Sequence, residues 1–241
     1  AGPGVTNTIT PMAEARDTGV PVIHIGGASP VAENESGPLQ DMNTVEILAT
    51  ATKWSRKVYT PERIPEYVGM AFRYATDNTP GPVYLEIATD TLNQPVDEEK
   101  AVFPESYRTE ALPFGDPELI EAAADMLLAA KRPVMIVGNG ARFGSKNGAA
   151  VPELATFFNM PVISQTMSRG LFVDEDLNPL FKFAGAFAIC SEADVILMLD
   201  VTNDYLVFKC QQPFFNPEAK LIQVNTDKSK IGYNAPHTSA S

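Results

Sequence analysis

A glycine-rich turn in the second half of the chain is the first candidate for ligand chemistry. Gly138, Gly140 and Gly144 are spaced Gly-x-Gly-x-x-x-Gly, after an apolar run and before a helical pattern. Such a turn can hold the diphosphate of a nucleotide, because its backbone N–H groups point toward the anion. The spacing is one residue longer than the common dinucleotide fingerprint. The pattern therefore predicts either an adenine nucleotide or a flavin at Gly138 and Gly140, or a plain turn between a strand and a helix.

The histidines, carboxylates and cysteines predict no further reactive centre. We expect His24, inside an apolar run, to be a core histidine with one ring nitrogen hydrogen-bonded. Neither it nor His237 has the spacing of a metal ligand, and acidic residues near strand ends are typical of solvated loops, so we predict no metal site. Cys190 and Cys210 are too few for a disulfide framework, which favours a reducing compartment and therefore the cytoplasm.

The composition excludes several classes of partner. The 241 residues, of which 44% are hydrophobic, are enough for one or two domains with a full core. The net charge of -12 argues against nucleic acid and anionic membrane as partners. No apolar run approaches the roughly 20 residues of a membrane span. We therefore expect neither nucleic acid nor a membrane as the main partner.

Alternating strands and helices must position these residues. The first half opens with a Gly2-Pro3-Gly4 loop, which normally follows a strand, yet no strand precedes it here. Residues 28–41 are polar and rich in turn formers, as is typical of an active-site loop. The other predicted elements are a helix over residues 5–18, a strand over 20–25, a short helix capped by Asn43-Thr44 and reaching residue 51, a helix from 61 to about 75, and a strand over 83–87.

The second half begins after a proline-rich and charged stretch, residues 93–115, which predicts a long linker. Asp116 and Pro117 predict the start of a helix. Apolar strands over residues 133–137, 161–163, 195–199 and 220–224 alternate with helical patterns, as expected for a parallel sheet covered on both faces. The sequence therefore predicts an α/β fold with a doubly wound domain over residues 116–233.

Several short runs together resemble the thiamine diphosphate-dependent enzymes grouped with acetolactate synthase and benzoylformate decarboxylase. The order and the spacing of the runs resemble that family as well. In the first half these are residues 2–7 (GPGVTN), 21–27 (PVIHIGG), 39–41 (LQD), 52–53 (TK) and 80–87 (PGPVYLEI). In the second half they are residues 130–134 (AKRPV), 138–140 (GNG) and 225–232 (NTDKSKIG).

The resemblance implies a fragment. Residues 1–92 would be the second half of a pyrimidine-binding domain with a partial parallel sheet, 93–115 a linker, and 116–241 a Rossmann-like central domain. The strand before Gly2 would lie upstream, together with the family's glutamate that contacts the aminopyrimidine, so we predict no catalytic residue in this chain. The Gly-Asp-Gly segment that holds Mg²⁺ and the cofactor diphosphate in the family is also absent. We therefore expect the 241 residues to be inactive alone and to bind the cofactor weakly.

The resemblance also implies roles for four residues. Pro3 and Asn7 would line the pocket of the aminopyrimidine, and Gln40 and Lys53 would approach the substrate. From the residues alone, Pro3 could equally be a rigid turn and Lys53 a solvated side chain. The chain departs from the acetolactate synthase pattern at two places. It has Ala28 where a glutamine is expected, and residues 200–204 stand where an arginine-bearing flavin loop is expected. These departures argue against acetolactate synthase itself and against FAD or ADP in the central domain.

The resemblance finally implies a reaction class. Enzymes of this family use thiamine diphosphate and Mg²⁺ to cleave or form a carbon-carbon bond next to a carbonyl. The parent protein would thus be a lyase or transferase acting on a 2-oxo acid or acyl substrate, by decarboxylation, carboligation or 2-hydroxyacyl lysis. It would form a homodimer or homotetramer. The alternative left open is a non-enzymatic module for nucleotide binding or subunit assembly.

Overall fold

A computed structural model describes residues 1–108, 113–143, 148–171 and 188–234 of the chain. The chain divides into two compact units, Ala1–Ala111 and Leu112–Ser241. Each unit is built on its own parallel sheet with helices packed against it. The predicted α/β class with parallel sheets is therefore confirmed.

The sheet of the first unit contains the strand predicted over residues 83–87, and this strand lies at its centre. In the described residues its three parallel strands are β1 (Val22–Ala28), β2 (Trp54–Val58) and β3 (Pro82–Ala88), in the order β1-β3-β2. All residues of β3 are buried. A parallel strand covered by helices on both faces is expected to be nearly continuous in apolar residues, and β3 departs from this at Glu86.

Helices cover the two faces of this sheet. Helices α1 (Pro3–Thr6), α2 (Ile9–Asp17) and α3 (Thr44–Ala49) share one apolar cluster with the β3 side chain of Tyr84. Helix α4 (Ile64–Thr76) packs against the other face, and α5 (Thr89–Asn93) follows β3. Successive side chains of β3 therefore point alternately into two separate cores.

Two sequence predictions for the first unit are wrong, and one strand was not predicted. The helix predicted over residues 5–18 is two helices, because Pro11 has no N–H to donate to the carbonyl of Asn7, where the break occurs. Strand β2 was not predicted, because its charged residues hide the apolar alternation. Asn43 makes no side-chain hydrogen bond at the start of α3, and the Thr44 side chain is buried instead.

The second unit has a doubly wound sheet. Its described strands β4 (Pro133–Val137), β5 (Val162–Ser164), β6 (Val195–Leu199) and β7 (Lys220–Val224) are parallel, in the order β5-β4-β6-β7. Apolar clusters lie on both faces of the sheet. The described helices of this unit are α6 (Pro117–Ala129), α7 (Asn139–Phe143) and α8 (Ala150–Phe157). The carboxylate of Asp116 accepts a hydrogen bond from the Glu118 N–H, which confirms the predicted start of α6.

The described residues were compared with the requirements of a membrane span and of a metal site. No helix among them has the length and apolar character needed to span a membrane. The same residues contain no cluster of three or more histidine, cysteine or acidic side chains that could hold a metal ion.

Candidate functional site

The carboxyl edge of the first sheet brings Gly2 and Gln40 into contact. Strand β1 ends at Ala28, and the loop of residues 29–43 leads from it to α3. A Cβ atom on Gly2 would lie 2.7 Å from Cβ of Gln40 and 3.0 Å from its carbonyl oxygen. Both residues have positive φ, 46° at Gly2 and 61° at Gln40, and the close approach requires glycine at position 2. Ligands of parallel α/β sheets bind at this edge, so the contact marks a candidate site.

Pro3 and Asn7 lie one helical turn apart at the start of the chain. Pro3 is the first residue of α1, where its missing N–H needs no partner. Its carbonyl accepts a hydrogen bond from the Asn7 backbone N–H at 3.0 Å. Both side chains are exposed. Gly2 thus contacts Gln40, Pro3 follows Gly2 in the chain, and Asn7 lies one helical turn after Pro3. The roles of Pro3, Asn7 and Gln40 in ligand binding stay predictions.

Lys53 lies at the opposite edge of the same sheet. Its backbone N–H donates to the Pro82 carbonyl at 2.8 Å, where β2 and β3 begin. Its ammonium group donates to the carbonyls of Asp77 and Thr79, just after α4, the second at 2.8 Å. The side-chain stem packs against Gly81. The structure therefore does not bring Lys53 together with the other three residues, and its role on the substrate side stays a prediction.

A buried polar cluster lies at the start of α3, where the loop of residues 29–43 ends. Glu86 of β3 is 3% exposed, and the Lys57 ammonium of β2 lies 3.1 Å from its Oε1 atom. The other carboxylate oxygen, Oε2, accepts hydrogen bonds from the hydroxyl groups of Thr44 and Tyr84. The Tyr84 hydroxyl also lies 3.1 Å from the Thr44 hydroxyl. This cluster was not predicted, although Glu86, a glutamate inside an apolar strand, was the signal in the sequence that could have revealed it.

Burial sets the protonation of two rings beside this cluster. Burial raises the pKa of Tyr84 above its ordinary value, and the nearby Glu86 carboxylate raises it further, so the phenol stays protonated as a donor. Burial lowers the pKa of His24, whose Nδ1 lies 3.1 Å from the Thr8 hydroxyl. The His24 ring packs against Tyr84 with 5.0 Å between ring centroids. His24 is thus a neutral, half-buried residue, and one of its ring nitrogens is hydrogen-bonded, as expected.

In the second unit, the glycine turn lies against an acidic side chain. Gly138 and Gly140 follow β4, and Asp200 follows the neighbouring strand β6. A Cβ atom on Gly138 would overlap the Asp200 carbonyl, and one on Gly140 would overlap the Asp200 carboxylate. That carboxylate accepts hydrogen bonds from the Thr226 backbone N–H at 3.1 Å and its hydroxyl at 3.0 Å. The glycines therefore permit a close approach between two strand ends.

This geometry bears on the predicted nucleotide site. A carboxylate beside Gly140 repels the diphosphate of FAD or ADP, since like charges in a partly desolvated position are unfavourable. Binding of a nucleotide at Gly138 and Gly140 stays a prediction. Gly144, the third glycine of the motif, and His237 lie outside the described residues.

Comparison with known proteins identifies the family. Residues 120–240 match the family model of the thiamine pyrophosphate enzyme central domain, and residues 1–47 match that of the N-terminal TPP binding domain. The chain belongs to the family of thiamine pyrophosphate enzymes, which confirms the resemblance found in the sequence.

Similar curated proteins are synthases and a lyase. The chain is 31% identical to the acetolactate synthase isozyme 1 large subunit of Escherichia coli, over 98% of this chain and 42% of that protein. It is 29% identical to a probable acetolactate synthase large subunit of Methanocaldococcus jannaschii, over 97% of this chain and 41% of that protein. It is 25% identical to human 2-hydroxyacyl-CoA lyase 1, over 97% of this chain and 40% of that protein. The chain thus spans about two fifths of the length of these relatives.

Proposed function

We propose that the complete gene product containing these residues is a thiamine diphosphate-dependent enzyme that cleaves or forms a carbon-carbon bond next to a carbonyl. The observation that carries this proposal is the pair of family matches, an N-terminal TPP binding domain followed by a central domain. The names of the relatives support the reaction class, because acetolactate synthases and a 2-hydroxyacyl-CoA lyase are among them. The substrate would be a 2-oxo acid or an acyl compound.

The residues around Gly2 would hold one side of the cofactor. This proposal is supported by the absence of a side chain at Gly2, which lets the Gln40 backbone come close at the carboxyl edge of the sheet. Pro3 and Asn7 would contact the aminopyrimidine, and Gln40 would face the substrate. When bound, the cofactor supplies the electron sink that this chemistry requires. The chain's own residues would orient the ring and limit the access of water.

For Lys53 the structural contacts support a different role. Its ammonium group is engaged by two backbone carbonyls at the amino edge of the sheet. We propose that Lys53 stabilises the end of α4, and that the substrate contact inferred from the resemblance is made elsewhere. Magnesium would be held by residues other than those described here, since these contain no suitable cluster of acidic side chains.

The domain limits and the assembly are proposals as well. We propose a pyrimidine-binding part over residues 1–92, a linker over 93–115 and a central domain over 116–241. The two compact units and the two matched ranges support this division. Cytoplasmic location, a homodimer or homotetramer, and inactivity of the 241 residues alone are proposed from the family resemblance and the cysteine usage. A purely non-enzymatic module is not favoured, because the matched family models describe enzyme domains.

The proposed function is tested on the complete gene product. Thiamine diphosphate binding is measured by calorimetry with Mg²⁺, and turnover is measured with pyruvate, other 2-oxo acids and 2-hydroxyacyl-CoA compounds. We expect cofactor-dependent release of carbon dioxide or formation of a carboligation or lysis product. Assays without the cofactor and assays of the 241 residues alone are the controls, and both should show no turnover. A complete gene product that neither binds the cofactor nor converts any of these compounds would refute the proposal.

A further inference from the structure

We propose that Glu86 is a positioning residue for the candidate cofactor edge, with Lys57 as its counter-ion. Through the Thr44 hydroxyl, Glu86 fixes the end of the loop of residues 29–43, and that loop carries Gln40 to Gly2. The inference rests on the proposed function, because it concerns the site where the cofactor would bind. It assigns a role to the buried ion pair of Glu86 and Lys57.

Burying this ion pair has a large cost in desolvation free energy. The Glu86 and Lys57 side chains are 4% and 12% exposed, so both charges lose most of their hydration. Apolar side chains of similar volume in place of a buried pair are often as stabilising or more so. The pair is therefore better explained by what the carboxylate holds in place than by stability alone.

The carboxylate holds the first residue of α3. Oε2 of Glu86 accepts a hydrogen bond from the Thr44 hydroxyl, and Thr44 is 2% exposed. Thr44 is the point at which the loop of residues 29–43 enters the helix. The phenol of Tyr84 donates to the same oxygen at 3.3 Å. Because an ionised carboxylate only accepts hydrogen bonds, it fixes the direction of both hydroxyl groups.

The other carboxylates that hold the loop of residues 29–43 make longer hydrogen bonds. The Asp90 carboxylate of α5 accepts one from the Ala32 N–H at 3.3 Å. The Asp41 carboxylate accepts hydrogen bonds from the Ser29 hydroxyl at 3.4 Å and from the Glu35 N–H at 3.3 Å, both near the upper limit of hydrogen-bond length. Gln40 lies between Asp41 and the exposed residue Leu39, in a left-handed backbone conformation. The buried bond at Thr44 is thus the strong attachment nearest to Gln40. Loss of this bond should let the loop move away from Gly2.

Matched variants separate positioning from general stability. Thr44→Val removes the hydroxyl while keeping the shape of the side chain, and Thr44→Ser restores the hydroxyl. Glu86→Gln keeps the shape of the acceptor but removes its charge. The control is Ser55→Ala. Ser55 of β2 is also buried, and its hydroxyl donates at 2.6 Å to the carbonyl of Val45, which follows Thr44 in α3. Loss of the Ser55 bond should destabilise α3 without releasing the loop.

Two measurements on the complete gene product test the inference. Hydrogen exchange in residues 29–43 should be about tenfold faster or more in Thr44→Val and Glu86→Gln than in the unsubstituted protein, and unchanged in Ser55→Ala. The dissociation constant for thiamine diphosphate should rise about tenfold in the first two variants. Thr44→Ser should restore both values, and Ser55→Ala should stay within about twofold despite a lower Tm.

The outcomes distinguish this inference from the proposed function. If Ser55→Ala and Thr44→Val raise the dissociation constant and loop exchange equally, Glu86 has only a structural role and the inference is overturned. If the unsubstituted protein does not bind thiamine diphosphate, the proposed function fails, and the positioning of a cofactor site fails with it. Faster loop exchange in that case would still identify Glu86 as the anchor of the loop.

Discussion

Replacing Lys57 with methionine tests how strongly the first unit depends on its buried ion pair. The substitution keeps an apolar stem but removes the ammonium group that lies 3.1 Å from Glu86 Oε1. Breaking a buried pair costs about 3–5 kcal/mol, because an unpaired charge is left away from water. We expect a loss of about 3 kcal/mol in the free energy of unfolding, at the lower end, since Thr44 and Tyr84 still donate to the carboxylate.

The double variant Lys57→Met/Glu86→Gln gives the sharper comparison. It removes both charges and leaves an uncharged amide, whose hydrogen bond with the Thr44 hydroxyl is weaker than that of the carboxylate. We expect it to be about 2 kcal/mol more stable than Lys57→Met alone, because no buried charge remains unpaired. The two substitutions should therefore be strongly non-additive.

The assay uses Trp54, the only tryptophan among the 241 residues, as the reporter. Trp54 is 8% exposed and lies in β2, the strand that carries Lys57. Its fluorescence reports urea unfolding. The urea concentration at the unfolding midpoint should be at least about 1 M lower in Lys57→Met, because the free energy of unfolding falls by about 1–3 kcal/mol per molar urea. Arg56→Met, at an exposed position of the same strand, is the control and should change stability by less than about 0.5 kcal/mol. Equal effects of Lys57→Met and Arg56→Met, or additive effects in the double variant, would refute the reasoning.

Three further experiments test packing, protonation and hydrogen bonding in the first unit. Gly26→Ala should lower the free energy of unfolding by about 2 kcal/mol, because the added methyl group would overlap the Tyr84 hydroxyl. Gly27→Ala, which meets open space, should change it by less than about 0.5 kcal/mol, and equal effects would contradict the packing. The pKa of His24 lies below its ordinary value of 6.5, so the stability that the neutral ring contributes is complete above that pH and is lost as the pH falls. A His24→Gln variant should accordingly show a flatter stability profile in urea unfolding between about pH 8 and pH 5, and an unchanged slope would exclude His24 as the cause. Lys53→Met should cost about 1 kcal/mol, since two backbone carbonyls lose a donor, and should leave the KM of the complete enzyme unchanged; a raised KM would instead support the predicted substrate contact.

The sequence by itself determined the fold class and the family. Apolar runs such as those of β4 and β6 predict buried parallel strands, because a strand covered on both faces excludes water from every side chain. The Asp116 cap was predictable because its hydrogen bond joins residues two positions apart. The short runs that include Gly2 and Gly138 indicated the family, because several such runs occur in the same order as in that family.

Only the tertiary structure decided which residues meet. Gln40 reaches Gly2, Glu86 reaches Lys57, and Asp200 reaches Gly140 across distances in the chain at which no local pattern operates. Such contacts depend on how neighbouring strands pair and on where their loops turn, and these are settled when the whole sheet packs. Short-range propensity therefore predicted the elements, whereas the candidate site and its buried support arose from packing between elements.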